Sequence, residues 1–360
     1  MIKLFDPHVT EDEINAARDV LQSHNWASGA GTGKVKEFEE KFNAYIGSKQ
    51  VVAVNSGTAA LHLSLALLGI TGKDVLVPSL TFVTTAHAVV YNGGNPVFVD
   101  VEPDTLCMDP ADVQKKVSRK TAAIVPVHFG GMPCRMNEIR KVARGRKIAI
   151  VDDAAHACGS KYNGKKIGSV ETMTCFSFHP VKNLSMPTGG AISINKTAGP
   201  FKKKLNSMRW CGIDNRKKYL YDVTSVSPNY YMNEISAAIG LVQLSKLDRL
   251  NARRKEIAKR YAEEIRLEHK MPYSDDCVYH LYWIMSDRRE ELARHLEGEG
   301  VEVGMHYRPI HTMSAYKSKA STLVTDRAGK RIVTIPIHAN LSDDDVTHVI
   351  RSINSFSHRR

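Results

Sequence analysis

A chain of 360 residues with 42% hydrophobic content can bury a sizeable core, and it is long enough for one large unit and one smaller one. Its longest apolar stretches, such as 51–54 and 148–151, fall far short of the roughly 20 residues that a membrane helix needs, and six scattered cysteines without a C-x-x-C pair suggest neither a zinc site nor a disulfide framework. The net charge of +12 suits an anionic partner, but Lys and Arg are spread along the whole chain, so the short clusters at 202–204 and 216–218 read as solvated surface rather than a nucleic-acid footprint.

The opening MIKLFDPHVT lacks the apolar core of a signal peptide, so a cytoplasmic protein with no membrane partner is expected. Thr10-Glu11-Asp12-Glu13 has the form of a capping box and predicts a helix to about Leu21. Val35, Phe38, Phe42 and Ile46 recur at helical spacing, with Gly47 placed as a C-terminal cap. Short apolar runs then alternate with helical stretches: 51–54, 75–77, 97–99, 122–127, 148–151 and 191–194. This pattern predicts an α/β architecture with a mainly parallel sheet covered on both faces. Residues 233–268 read as one or two long helices leading to a C-terminal unit with strand-like segments at 278–285 and 331–335. A large domain over 1–240 and a small domain over 241–360 are expected.

Three segments carry candidate chemistry. In VVAVNSGTAAL (51–61) a buried strand meets a Ser-Gly-Thr turn and a helix start, which aims backbone N–H groups and a helix dipole at one spot, as a phosphate cradle does. In IAIVDDAAHACG (148–159) two acids stand at the carboxyl end of a buried strand, where sheets of this type bind ligands, and an aspartate there can pair with a protonated pyridine nitrogen. In CFSFHPVKNLSMPTGG (175–190) a strand is followed by an irregular segment in which Phe176, Phe178, Val181 and Leu184 can desolvate Lys182, the condition for a neutral, nucleophilic amine near pH 7. Each has a plainer alternative: an ordinary strand-to-helix turn, a capping or metal-ligating acid, a surface lysine. GAGTGK at 29–34 lacks P-loop spacing and does not follow a strand, so it is not read as a nucleotide loop.

Taken together, NSGTAALHL (55–63), VPSLTFVTT (77–85), NPVFVDVEPDT (95–105), PVHFGG (126–131), VDDAAHACG (151–159), FSFHPVKN (176–183), NEISAAIGLVQL (233–244) and MHYRPIH (305–311) resemble the DegT/DnrJ/EryC1/StrS sugar aminotransferases across nearly the whole chain. The resemblance implies a pyridoxal 5′-phosphate (PLP) enzyme of fold type I, with a seven-stranded type of sheet in the large domain, passing through pyridoxamine 5′-phosphate. It implies that Lys182 forms the Schiff base with the cofactor and shuttles protons, and that Asp153, 29 positions before Lys182, pairs with the pyridinium nitrogen. His156, where many members have Gln, would lie near the ring. Phe82 would stack on the ring, while Gly57, the Thr58 and Ala59 amides and the Ser177 hydroxyl would hold the phosphate. Asn229 matches an asparagine that reaches the partner's phosphate in a homodimer with shared active sites, and His306 and Tyr307 would lie on the substrate side.

The chain departs from the family pattern at Tyr231, where many members have Arg, at Thr188, where a glutamate is usual, and at Cys211, where histidine is common. The activity implied is transfer of an amino group to a nucleotide-linked keto sugar, with glutamate as donor. The relatives that dehydrate sugars carry histidine at the lysine position, so Lys182 argues against that reaction. Retention of Lys182, Asp153 and Ser177 together argues against a non-catalytic regulator. The VHFGG and DDAAHA segments look slightly closer to members that aminate C4 than to those acting on C3.

Overall fold

The computed structural model describes residues 1–316, 318 and 320–357. The capping box on Thr10 is present and opens helix α1 (Glu11–Ser23), and α2 (Gly33–Ile46) stops at Gly47, whose φ of 76° suits a residue without a side chain. Strands and helices then alternate: β1 (Gln50–Val54), α3 (Gly57–Leu68), β2 (Asp74–Pro78), α4 (Thr84–Tyr91), β3 (Asn95–Val99), α5 (Pro110–Lys116), β4 (Thr121–Ile124), α6 (Met136–Arg144) and β5 (Ala149–Asp153). A two-residue hairpin, β6 and β7 (Lys161–Tyr162, Lys165–Lys166), precedes β8 (Met173–Ser177), β9 (Gly190–Ile194) and α7 (Ala198–Met208). A second hairpin, β10 (Ile213–Lys217) and β11 (Leu220–Val223), leads to α8 (Glu234–Glu264); β12 (Tyr282–Met285), α9 (Arg289–Gly298), α10 (Leu323–Arg331), β13 (Ile332–Ile335) and α11 (Asp343–Ser357) follow.

Seven strands form one sheet in the order β1-β9-β8-β5-β4-β2-β3. The pairs from β3 through β8 are parallel, and β9 runs antiparallel to both of its neighbours. Strand periodicity divides the core between the two faces. Val52 and Val54 pack with α3, while Val51 and Ala53 face the aromatic group of α2. In that group Phe42 meets Phe176 and Phe178 edge-on at 5.2 Å, and Phe38 meets Phe178 at 5.4 Å. Such edge contacts add roughly 0.5–1.5 kcal/mol each beyond burial, and they fix the end of β8, from which the Lys182 segment departs.

Several boundaries differ from the sequence reading. The run 122–127 is a strand only to Ile124, because Pro126 has no N–H to continue a ladder. The C-terminal strand begins at Tyr282 and not at 278, since Tyr279 adopts a left-handed φ of 49°. Within the segment 233–268 a single 31-residue helix, Glu234–Glu264, runs unbroken through position 240, and Ile2, at the opposite end of the chain, bridges to Val301. Among the described residues, no helix is long and apolar enough to cross a membrane.

Candidate active site

The carboxyl ends of the central strands open into a cavity of about 340 Å³ lined by residues from all three candidate segments and from the 305–311 motif. Lys182 enters it from a segment that closes on itself between β8 and β9. Phe178 donates its amide to Gly189 (2.9 Å) and accepts from that of Met186 (2.8 Å), while the Lys182 amide donates to His179 (2.8 Å). Asn183, buried, donates to Asn251 Oδ1 (2.7 Å) and to the Val278 carbonyl (2.9 Å), so the segment is tied to α8 and to the C-terminal unit. The Thr188 hydroxyl donates to the Asn55 carbonyl at 2.5 Å, which gives the residue found in place of the usual glutamate a role in joining this segment to the β1–α3 turn.

The Lys182 side chain touches the open cavity, but its amine is enclosed by protein. Burial therefore pulls it down from an ordinary value to about 8, against the opposing attraction of Asp153. An amine with that value is uncharged in about one molecule in ten at pH 7, a far larger share than a surface lysine titrating near 10.4 provides. On β5, alternation separates the two acids. Asp153 faces the cavity, accepting the Thr85 hydroxyl (2.8 Å) on one oxygen and the Ala155 amide (3.1 Å) on the other. Asp152 turns the other way, toward His128 at 3.7 Å. Burial raises the Asp153 carboxyl above its usual range, while the two hydrogen bonds and Lys182 pull it back. A carboxylate so placed is stabilised by a cation opposite it.

At the start of α3, Gly57 and Thr58 line the cavity next to Ser177. Gly57 is required by the close approach of helix and strand: a Cβ there would lie 2.8 Å from Ser177 Cβ. We expect Gly57→Ala to push α3 off β8, costing roughly 1–3 kcal/mol and weakening binding of a phosphorylated cofactor. Thermal unfolding and cofactor titration check this, and an unchanged affinity would count against the cradle. Ala59 does not line the cavity. It is fully buried, and its amide donates to the Ser56 hydroxyl at 3.1 Å.

Phe82 forms part of the wall with 52% of its surface exposed, a large aromatic face left open toward the cavity and 6.0 Å from the Tyr307 ring. His156 accepts the Gly130 amide on Nδ1 (3.3 Å), which leaves Nε2 to carry its proton, 3.3 Å from the Tyr307 hydroxyl. Burial holds this imidazole well below its usual value, hence neutral. His306 lines the cavity with Nδ1 2.7 Å from the Thr334 hydroxyl, and burial lowers it to about 4. Asn229 does not line this cavity; it is exposed and bridges to Trp210 beside the β10–β11 hairpin.

The sequence reading missed two residues. Thr85 anchors Asp153 from the first turn of α4, and a threonine in the run TTAHA carries no signal of that. His280 contacts Lys182 directly, Nε2 to Nζ at 3.2 Å. Its signal was present as the single histidine in the apolar run CVYHLYWIM. The rejected GAGTGK segment is a turn into α2, where the Glu234 carboxylate accepts the Lys34 amide and so occupies the place an anion would need.

An enclosed lysine whose burial lowers it to about 8, a buried carboxylate held with one face open, a glycine-lined helix start beside a hydroxyl, and an exposed aromatic wall fit PLP in its amine-anchoring, ring-nitrogen, phosphate and ring-stacking requirements. The fold and the site define a PLP-dependent transferase. The chain belongs to the DegT/DnrJ/EryC1/StrS aminotransferase family, whose profile matches residues 7–354. It is similar to GDP-perosamine synthase of Escherichia coli O157:H7, at 33% identity over 99% of this chain and 98% of that one. It also superposes on Spr1654 of Streptococcus pneumoniae, assigned as a sugar aminotransferase and solved in PMP and PLP forms; with the PMP form the TM-score is 0.94, at 28% identity over the whole of both chains. DesV of S. venezuelae gives a TM-score of 0.91 at 31% identity, covering 97% of this chain and 95% of that one. The protein is thus a PLP-dependent sugar aminotransferase, with pyridoxamine phosphate as the alternate cofactor form.

Proposed function

We propose that this enzyme transfers the amino group of glutamate to the ketone of a nucleotide-linked sugar, through Lys182, in a homodimeric, cytoplasmic protein. The observation that carries the reading is the convergence in one cavity of a lysine lowered to about 8 by burial and a buried carboxylate at the end of β5. When bound, PLP supplies an electrophilic carbonyl and an electron-withdrawing ring. Asp153, held by Thr85 and Ala155, keeps a negative charge directed at the ring nitrogen. Lys182 Nζ would take the proton from the donor carbon that bears nitrogen and deliver it to the cofactor carbon within the same half-reaction, and would carry out the reverse transfer toward the sugar carbon in the second, which an amine titrating near 8 can do in both directions. Gly57, Thr58 and Ser177 bind phosphate, Phe82 covers the ring, and the Nε2 proton of His156 is available to a ring oxygen.

His306 and Tyr307 face the substrate from the C-terminal unit. Asn229, exposed beside a projecting hairpin, is placed to serve a second subunit's phosphate site, and the basic character of the chain suits a diphosphate substrate. Two half-reactions at one site give ping-pong kinetics. Incubation with glutamate alone should convert the bound cofactor fully to its amine form, followed by absorbance. A panel of nucleotide-linked 3-keto and 4-keto sugars then identifies the acceptor, for which C4 is the favoured position. Failure of glutamate and other amino acids to produce the amine form would overturn the reading.

A further inference from the structure

His280 lies behind Lys182 and lines no part of the cavity. It is 1% exposed, it precedes β12, and its backbone is pinned by donation to the Gly130 carbonyl at 2.9 Å. The Phe5 ring stacks on it at 5.7 Å with a 17° tilt, and the His156 ring lies 4.3 Å from it, centroid to centroid. Its Nε2 meets Lys182 Nζ at 3.2 Å, while its Nδ1 is buried with no hydrogen-bond partner among the described residues. A neutral imidazole carries one N–H, and an orphaned buried N–H is rarer than an orphaned acceptor. The proton therefore belongs on Nε2, where it has a partner, and the lone pair it meets is that of the amine in its uncharged form.

The ionisable groups facing this pair come from every packed element. Among the described residues, Asp153 at the end of β5 is the acid acting on Lys182; His156 after β5, His306 before Tyr307 and Arg254 on α8 act on His280, and His179 adjoins Lys182. Burial above all, and then any positive charge on Lys182, hold His280 well below its ordinary value, so it stays uncharged.

We infer that His280 is a positioning residue for Lys182: its Nε2–H donates to the free ε-amine, favouring the uncharged form of that amine and drawing it back into the cavity wall whenever it is not joined to the cofactor. An aminotransferase lysine is free for half of each cycle, and without such a contact it would be protonated by water or swing across the substrate. The inference rests on Lys182 being the reactive amine.

The test is the pH dependence of Lys182 acylation by a small amine-reactive reagent in the cofactor-stripped full chain, read on the Lys182 peptide by mass spectrometry, with surface lysines as internal reference. Reactivity follows the uncharged amine, so it rises with pH, and the wild-type midpoint is expected at about 8. Removing a donor to the neutral amine favours the charged form, so His280→Leu should raise the midpoint by about half to one pH unit, the size of one hydrogen bond. His280→Gln, which keeps a donor, should restore most of the shift, whereas a purely structural role would not distinguish the two in this way. Retained cofactor binding by both variants confirms an intact cavity. A His280→Leu midpoint that is unchanged or lower, in protein that binds cofactor, overturns the inference. A wild-type Lys182 midpoint near that of the surface lysines would instead overturn the assignment of Lys182 itself, so the two failures are distinguishable.

Discussion

Lys182→Ala is expected to lower turnover by roughly 10⁴-fold or more, because under the proposed mechanism one substitution removes both the amine that engages the cofactor carbonyl and the base that carries the proton. The loss should fall on kcat and not on cofactor retention. Gly57, Thr58, Ser177, Asp153 and the open face of Phe82 remain in the cavity without Lys182, so on the proposed reading the variant should purify with cofactor that is bound but not covalently held. Truncation also relieves a strain on the apoprotein. A lysine titrating at about 8 when folded and near 10.4 when unfolded disfavours the folded state while it is charged. Between those two pH values the unfolded chain holds more protons, so wild-type apoprotein gains stability as pH rises through about 8 to 10, and Lys182→Ala should flatten that rise. Steady-state rates, cofactor content and unfolding curves across pH check the three parts. Substantial transamination by the variant would sink the proposed mechanism.

Asp153→Asn should reduce kcat by roughly 10²–10³-fold, the usual cost of removing a preorganised electrostatic partner from a buried site. The substitution keeps the shape of the carboxylate and can still accept from Thr85, but it removes the charge that burial makes expensive and that only a cation opposite it offsets. Cofactor should remain bound, with its absorption shifted because the ring nitrogen has lost its anionic partner. The conversion to the amine form by glutamate should slow in proportion to kcat. A rate within about threefold of wild type, well inside the expected loss, would show that Asp153 does not tune the ring.

Much of this arrangement was legible in the sequence because it depends on local chemistry. Buried strands of a parallel sheet read as apolar runs, so β1, β2, β3 and β5 fall on the runs that announced them, and the capping box and Gly47 marked the ends of the first two helices. Asp153, Lys182 and the turn at Gly57 stood out because each sits at a strand end with an identifiable reason to be there. What escaped depended on long-range placement. The contact of His280 with Lys182 joins residues 98 positions apart, and Thr85 reaches Asp153 across 68. The hairpin β10–β11 was missed because its polar, exposed residues lack the alternation of a half-buried strand. Ala59 illustrates a finer failure: motif spacing brought it into the cradle, but the Ser56 side chain takes its amide, and the cavity is lined by Gly57 and Thr58 instead.

The central claim is that one lysine among the basic residues of this chain is the amine that joins the cofactor. Borohydride reduction of the holoenzyme, which makes that link permanent, followed by peptide mass mapping, tests it directly. The cofactor's mass should appear on the peptide containing Lys182 in stoichiometric amount and on no other lysine. Labelling of a different lysine, or none in active enzyme, would contradict the assignment on which the proposed chemistry rests.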